Sequence, residues 1–259
     1  MTLTLTLREQ PDVPLDADVL TPDRLAGADD IAALPVWHGN QRTRVGEFFA
    51  ASGAGMRGGV LRVEGDAGDW AGAGMRGGTL VVRGSAGHRL GGVHPGERAG
   101  MRGGEIVVHG DAGTQAGAGL RRGLIAVAGR IADAAGLRML AGTIVALGGL
   151  GPRAGAGMRR GSIVAMAPVT PLATFVFSCT YRPPFLSLYL RRLRALGLAV
   201  TDEQIAGRYA RWCGDGLELR RGEMLILDVE RPAADRRHQN AGLERSGGER
   251  AARDRTPRR

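Results

Sequence analysis

Five arginines occupy the same place in a recurring glycine-rich motif, and as a group they could bind an anion. They are Arg57, Arg76, Arg102, Arg121 and Arg159. If successive copies stack about 4.8 Å apart, each like-charge contact costs about 0.9 kcal/mol even at the dielectric constant of water. Two interpretations stay open. One is a solvated edge that pairs with acids such as Asp66, Asp69, Glu105 or Asp111, and the other is a surface for an anionic partner or the acidic tail of a cofactor.

The glycines around these arginines resemble a phosphate-binding loop, but their context differs. The motif reads GAGMRGG at 53–59 and again at 72–78, and related copies follow at 99–104, 117–123, 136–142 and 155–161. A dinucleotide-binding loop needs a strand before it and a helix after it. Here a short apolar strand follows each copy and no helix does, so we assign the glycines a structural role.

The motif returns at a nearly fixed period. Its apolar residue is Met56, Met75, Met101, Leu120, Met139 and Met158, in steps of 19, 26, 19, 19 and 19 residues. A period of this size indicates one supersecondary unit stacked on copies of itself. The longer step contains a seven-residue insertion.

The insertion is the second candidate site. It lies in the segment Gly91, Gly92, Val93, His94, Pro95, Gly96, Glu97 and Arg98. Loops inserted into solenoids often make binding contacts, so this segment is expected to contact a partner. A merely tolerated insertion is the alternative.

Other reactive residues do not form a recognisable catalytic or metal-binding pattern. No two of the five histidines stand at ligand spacing, and His109 is expected to be an exposed strand residue. Cys179 and Cys213 form neither a metal motif nor a disulfide framework, which favours a reducing cytoplasm. Nucleophile-elbow, P-loop and zinc-protease motifs are also missing. We therefore assign no catalytic, metal or confident cofactor-binding residue to this chain.

The strand after each motif defines the fold. Two apolar positions recur in it, Leu61 with its equivalents Leu80, Ile106, Ile125, Ile144 and Ile163, and Val63 with its equivalents Val82, Val108, Val127, Ala146 and Ala165. Residues two apart in a strand share one face. A 19-residue unit is too short for a strand, a helix and their loops. The sequence therefore predicts an all-β fold, a single-stranded right-handed parallel β-helix of about seven coils, with a small α/β C-terminal cap.

Composition changes divide the chain into four parts: an N-terminal strand and capping segment (1–36), the solenoid (37–167, with 37–52 as a degenerate first coil), the cap (168–230) and a tail (231–259). The cap should cover the open end of the solenoid. It contains a predicted helix with Phe185, Leu188, Tyr189, Leu193 and Leu196 on one face. The tail is charged and poor in apolar residues, which predicts disorder.

The net charge of +9 is unevenly distributed. The tail holds nine arginines against four acids, whereas the first 35 residues hold two arginines against seven acids. A nucleic-acid-binding protein that uses the tail is a further hypothesis, but this distribution argues against it. No apolar run reaches membrane-spanning length. Neither nucleic acid nor membrane is expected as a partner.

The repeat and its flanking segments together resemble the C-subunit family of formylmethanofuran dehydrogenases. The flanking segments are PVWHGN (35–40), VGEFF (45–49) and FVFSCTYRPPFLSLYLRRL (175–193). The repeat alone is similar to the C-terminal solenoid domain of the glutamate synthase large subunit, which leaves a stand-alone domain of that type as a weaker alternative.

The resemblance implies a scaffold in a cytoplasmic formyl-processing complex, with the catalytic groups in other subunits. The expected setting is the bacterial formyltransferase/hydrolase complex, which moves a formyl group from tetrahydromethanopterin to a methanofuran-type carrier and hydrolyses it to formate. A tungsten or molybdenum formylmethanofuran dehydrogenase is the alternative. The resemblance implies that zinc lies in another subunit. It also implies that the carrier has a glutamate-rich tail, which the arginines could attract.

Overall fold

The computed structural model describes four short N-terminal strands and then residues 53–93 and 96–228. The first strands are β1 (Thr2–Leu5), β2 (Leu15–Asp16), β3 (Pro35–His38) and β4 (Gln41–Arg44). The chain divides into two compact units after Leu227, and all described secondary structure belongs to the first. The predicted disordered tail and two residues of the insertion, His94 and Pro95, lie outside the described residues.

Each repeat contributes one strand to a parallel ladder. The strands are β5 (Val60–Val63), β6 (Thr79–Val82), β7 (Arg102–Val108), β8 (Arg122–Val127), β9 (Thr143–Ala146) and β10 (Gly161–Ala165). Leu61 pairs with Leu80, and the register continues through Ile106, Ile125, Ile144 and Ile163. Both predicted apolar columns are fully buried. The described chain is thus a mostly β, solenoid-like stack.

The glycine-rich motif forms a corner of each coil. Its Met or Leu is fully buried in all six copies. The amide of Arg76 donates to the carbonyl of Met56 in the preceding coil at 2.7 Å. Gly78 has φ +84°, and a Cβ there would meet the carbonyl oxygen of Gly59 at 2.7 Å. Glycine is required at this corner because the backbone is left-handed and the next coil is in contact.

A second parallel ladder binds the coils together on another side. Isolated bridges connect Ala67 to Ala86, Ala86 to Ala112, Ala112 to Ile131 and Ile131 to Leu150. The coils are therefore hydrogen-bonded at the strand, at the glycine corner and along this bridge ladder. A single coil could not bury its own apolar face, so the stack holds the fold together.

The N-terminal strand supplies the first rung of the main sheet. β1 pairs parallel with β5, which sets Leu3 beside Leu61 and Leu5 beside Val63. The interpretation of residues 37–52 as a degenerate coil is wrong for the described part of that segment. β3 pairs antiparallel with β4 and β2 in a separate three-stranded sheet. Gly39–Asn40 separates β3 from β4, and such a dipeptide favours a tight hairpin over a turn to the next coil.

Three strands extend the main sheet beyond the last coil. They are β11 (Val176–Tyr181), β12 (Tyr209–Gly214) and β13 (Gly222–Leu227). β13 pairs parallel with β10, β12 is antiparallel to β13, and β11 is the outermost strand. The C-terminal segment therefore covers the strand edge of the last coil, and a 3-10 turn (Gly216–Glu218) joins β12 to β13.

Two helices complete this segment, α1 (Pro184–Ala195) and α2 (Asp202–Ala206). Leu186, Leu190 and Leu193 of α1 are buried in one cluster with outward residues of the sheet. Those residues are Val107, Ala126, Val145 and Val164. The predicted apolar face of this helix is right for Leu193, which is buried, and for Phe185 and Leu196, which pack against the same cluster. It is wrong for Leu188 and Tyr189, which are exposed. Two leucine stripes of similar spacing are available on this helix, and the one that contains Leu186, Leu190 and Leu193 is buried against the sheet. Arg192 of the same helix forms an ion pair with Glu105 of β7.

Among the residues that the structure describes, no helix is both long enough and apolar enough to cross a membrane.

Candidate binding groove

The five predicted arginines do not share one environment. Arg57, Arg76, Arg121 and Arg159 are exposed at the glycine corners, and Arg102 is half-buried. Arg102 approaches Glu97 at 3.5 Å, and Arg159 binds Glu218 at 3.1 Å. Both acids come from outside the set that the sequence predicts, one from the insertion and one from the C-terminal turn.

The four acids proposed as partners of these arginines have other roles. The carboxylates of Asp66, Asp69 and Asp111 accept the backbone N–H groups of Ser85, His88 and Arg130 at 2.6–2.7 Å. Each is thus bound to the backbone of the following coil. Glu105 accepts from Arg192 of α1 at 2.9 Å and raises the pKa of that guanidinium. The predicted pairing is therefore wrong: among the described residues none of the four acids forms an ion pair with a corner arginine, because these backbone groups and Arg192 already occupy their carboxylates.

The insertion leaves and rejoins one coil at neighbouring points. Val93 donates its N–H to the carbonyl of Ala118 at 3.0 Å, and Gly100 donates to the carbonyl of Gly119 at the same distance. Gly91 and Gly92 are buried within the regular coil. Gly96, Glu97 and Arg98 are exposed, so the exposed part of the described insertion is shorter than the segment that the sequence suggests.

The insertion forms one wall of an open groove of about 830 Å³. Its residues in the wall are Val93, Gly96, Glu97 and Arg98, and Arg159 and Glu218 also line the groove. The groove therefore brings the two predicted sites together at one arginine. Arg57, Arg76, Arg102 and Arg121 do not line it.

The rest of the lining includes residues that the sequence analysis does not single out, among them Trp70, Arg89, Gln115 and Arg138. The guanidinium of Arg89 lies 4.6 Å from the ring centre of Trp70, and its Nε donates to Gln115 Oε1 at 3.0 Å. Trp70, Arg89 and Gln115 occupy equivalent positions of consecutive coils, each with a left-handed φ near +60°. Alignment of the repeats at this position would have revealed the column, although its residue types differ.

The groove is cationic. Its two acids, Glu97 and Glu218, each have an arginine partner. Arg89, Arg98 and Arg138 also line it, and within the described part of the chain none of the three has a carboxylate partner. Such a surface attracts carboxylate or phosphate groups, which guanidinium binds through paired hydrogen bonds.

His109 has a different environment from the predicted one. It is half-buried near Gly197 at the end of α1, and its Nε2 lies 3.0 Å from Arg83 Nη1. Burial lowers the pKa of His109, and the positive charge of Arg83 lowers it further, against an opposing effect of Glu64. The imidazole is therefore neutral near pH 7. Over the described ranges there is no cluster of three His, Cys, Asp or Glu side chains that could hold a metal ion.

Comparison with known proteins gives local and full-length matches. No family model matches the chain. It is 43% identical over 53 residues to the C-subunit of the tungsten-containing formylmethanofuran dehydrogenase 2 of Methanothermobacter thermautotrophicus. Over 61 residues it is 41% identical to the C-subunit of the molybdenum-containing formylmethanofuran dehydrogenase 1 of Methanosarcina barkeri. These matches span only about a fifth of each relative's length (20%).

A solved structure matches far more of the chain. It is the X-ray structure of the formyltransferase/hydrolase complex (FhcABCD) from Methylorubrum extorquens in complex with methylofuran. One chain of that complex superposes with a TM-score of 0.73 and 31% identity, over 86% of this chain and 99% of its own length. The chain belongs to the C-subunit family of formylmethanofuran dehydrogenases.

The match to this solved member of the C-subunit family extends well beyond the repeats. A span of 86% of the chain is larger than the repeat region 53–167. The likeness therefore includes segments that flank the solenoid, as the sequence resemblance predicts.

Proposed function

We propose that this chain is a scaffold subunit of a formyltransferase/hydrolase complex in one-carbon oxidation linked to tetrahydromethanopterin and methanofuran. One observation carries the proposal: the chain matches almost the full length of a chain of such a complex, at 31% identity. The local matches to the C-subunits of tungsten and molybdenum enzymes favour a second candidate, a subunit of a formylmethanofuran dehydrogenase.

The proposed role is structural rather than catalytic. The catalytic groups, including zinc, would lie in other subunits, and the formyl carrier would be of the methanofuran type. The solved relative belongs to a complex with methylofuran, which supports this kind of carrier. Both thiols, Cys179 and Cys213, are free, which agrees with the proposed location in the cytoplasm.

The fold serves this role as an elongated platform. We infer a right-handed, single-stranded β-helix of six coils, one for each of β5–β10, capped by the segment 168–230 and followed by a separate tail at 231–259. The parallel register of β5–β10 and the addition of β13 to β10 support this description. Such a stack offers a long, rigid surface for several partners.

Purification from the native host tests the scaffold role. A tagged full-length chain should be recovered in a larger assembly, whose native mass gives its stoichiometry and whose other subunits have formyltransferase and hydrolase activity. Tungsten or molybdenum in the assembly would favour the dehydrogenase. A chain recovered alone as a monomer, or formyl-hydrolase turnover by the isolated chain, would contradict the proposal.

The corner arginines are proposed to attract the anionic tail of the carrier. We expect the double substitution Arg76→Glu and Arg102→Glu to lower the amount of carrier that co-purifies, by several-fold at low ionic strength, because the screening length of surface charges rises from about 10 Å at 0.1 M salt to about 30 Å at 0.01 M. Arg62→Glu with Arg130→Glu is the matched control, since both are exposed arginines elsewhere on the solenoid. Equal carrier content in all three proteins would leave the corner arginines as ordinary surface.

The insertion, Gly91–Arg98, is proposed to contact a partner in the assembly. Its exposed residues Gly96, Glu97 and Arg98 form a wall of the groove, which supports the proposal.

A further inference from the structure

One turn of the C-terminal segment holds two leucines in solvent. Leu217 and Leu219 are 82% and 76% exposed, the largest values among the large apolar side chains of the described residues. They lie in and just after the 3-10 turn between β12 and β13. Single exposed leucines are common on protein surfaces, so their exposure alone does not identify a site.

The turn is fixed by a buried carboxylate. Asp215 is only 2% exposed. Its carboxylate accepts the N–H groups of Leu217 and of Gly157 in the last coil, both at 3.0 Å. Its carbonyl accepts the N–H groups of Glu218 at 2.9 Å and Arg220 at 3.1 Å. The leucines are therefore presented on a turn that is bonded to the solenoid.

The backbone of this turn is also unfavourable for the residues that occupy it. Leu219 and Arg220 are left-handed, with φ +69° and +53°. Glycine or asparagine adopts this conformation at lower cost than leucine does. Strained backbone positions cluster at functional sites, so this turn is a candidate binding site.

The turn borders the cationic groove. Glu218, between the two leucines, lines the groove and binds Arg159 at 3.1 Å. Arg89, Arg98 and Arg138 line the same groove, and none of the three forms an ion pair with a carboxylate of the described residues, because Glu97 and Glu218 pair with other arginines. Leu217 and Leu219 do not line the groove themselves, but they are the chain neighbours of Glu218, which does. An exposed apolar pair next to a cationic groove is the complement of an acidic polypeptide with apolar anchor residues. A nucleic acid would satisfy the arginines but would not use the leucines.

We propose that an acidic segment of another subunit binds in this groove, with its apolar side chains against Leu217 and Leu219 and its carboxylates on Arg98 and Arg138. The inference rests on the proposed scaffold function and names its docking site. Charge complementarity favours an acidic segment over a second copy of this chain, because the groove of the second copy would carry the same positive charge.

Two pairs of substitutions test the site in the assembly purified from the native host. Leu217→Ser with Leu219→Asn removes the apolar anchors, and Asn tolerates the left-handed backbone. Leu188→Ser is its control, since Leu188 is 67% exposed on α1. Arg98→Glu with Arg138→Glu reverses the groove charge, and Arg62→Glu with Arg130→Glu makes the same change elsewhere.

We expect both groove variants to keep the thermal stability of the wild type and to lose the same subunit, with recovery at least about tenfold lower. Mass spectrometry should identify a segment rich in acidic and apolar residues in that subunit. Hydrogen exchange at residues 216–220 should be slower in the wild-type assembly than in the isolated chain. The two control variants should recover all subunits.

The outcomes separate this inference from the scaffold proposal. A wild-type chain that recovers no subunits contradicts the scaffold function itself. A wild-type assembly that both groove variants retain unchanged overturns the docking site alone. Self-association of the isolated chain that the groove variants abolish would identify a second copy as the occupant. Exchange at residues 216–220 of the isolated chain that becomes faster when the N-terminal aspartates between Asp12 and Asp30 are replaced by asparagine would identify its own acidic N-terminal segment, and either result also overturns the inference.

Discussion

The strand side and the glycine corner of the same coils have opposite surfaces. On the strand side, the outward positions Val107, Val145 and Val164 are apolar and α1 covers them. At the corner, the equivalent positions of successive coils are mostly exposed arginines. Both sides come from one 19-residue unit with the same backbone spacing. The choice of side chain at each position therefore decides which side is covered by the chain itself and which side stays exposed.

The largest loss of stability should come from removing an apolar contact between α1 and the strand side. Leu190 of α1 is fully buried against the sheet, so we expect Leu190→Ala to lower the free energy of unfolding by about 2–5 kcal/mol. Leu188→Ala, on the exposed side of the same helix, should change it by no more than about 0.5 kcal/mol. Chemical denaturation of both variants measures the difference. Equal stabilities would mean that α1 is not held by this apolar contact.

Ion pairs on the two sides should contribute far less. Glu105→Gln breaks the pair with Arg192 on the strand side, and Glu97→Gln breaks the pair with Arg102 at the corner. Both pairs are substantially exposed, so each variant should lose no more than about 1 kcal/mol. The same denaturation measurement applies. A larger loss for Glu105→Gln would show that the pair, and not the leucines, fixes α1.

The smallest effect should be a pH dependence on the strand side. The pKa of His109 in the folded chain lies below the ordinary value of 6.5, so the unfolded chain binds the proton first as the pH falls. The free energy of unfolding should therefore decrease as the pH drops through about 6.5 to the pKa of the folded state, and then level off.

His109→Gln should remove this part of the slope, and Arg83→Gln should reduce it, because the positive charge of Arg83 is one cause of the lowered pKa. Denaturation at a series of pH values measures the slope, and an NMR titration of the imidazole gives the pKa. A His109→Gln profile identical to that of the wild type would contradict the assignment.

The sequence was sufficient for the repeated part of the fold. Leu61 and Ile106 recur at one position of each unit, so the buried columns and their parallel register follow from the period. The pairing of β1 with β5 did not follow, because Met1–Arg8 lies outside the period. The antiparallel pairing of β3 with β4 was missed, because residues 37–52 were aligned with the repeat. The dipeptide Gly39–Asn40 between the two strands is a sequence signal for a turn.

The groove was harder to predict because its residues are distant in sequence and differ in type. Arg159 and Glu218 are 59 residues apart, and no local pattern connects them. Trp70, Arg89 and Gln115 share a position in the coil but no chemistry. The insertion that the sequence analysis identifies supplies one wall of the groove. The other walls depend on how the last coils and the C-terminal turn pack, which the period does not determine.

Both ends of the strand ladder come from segments outside the repeat, β1 at one end and β13 at the other. The number of coils between β1 and β13 is therefore independent of the segments that pair with the first and last coils. Duplication of one 19-residue unit would lengthen the ladder by about 4.8 Å and leave both terminal strands with their present neighbours. A stack of this kind can change length by whole units during evolution or design, while the surfaces at its ends are preserved.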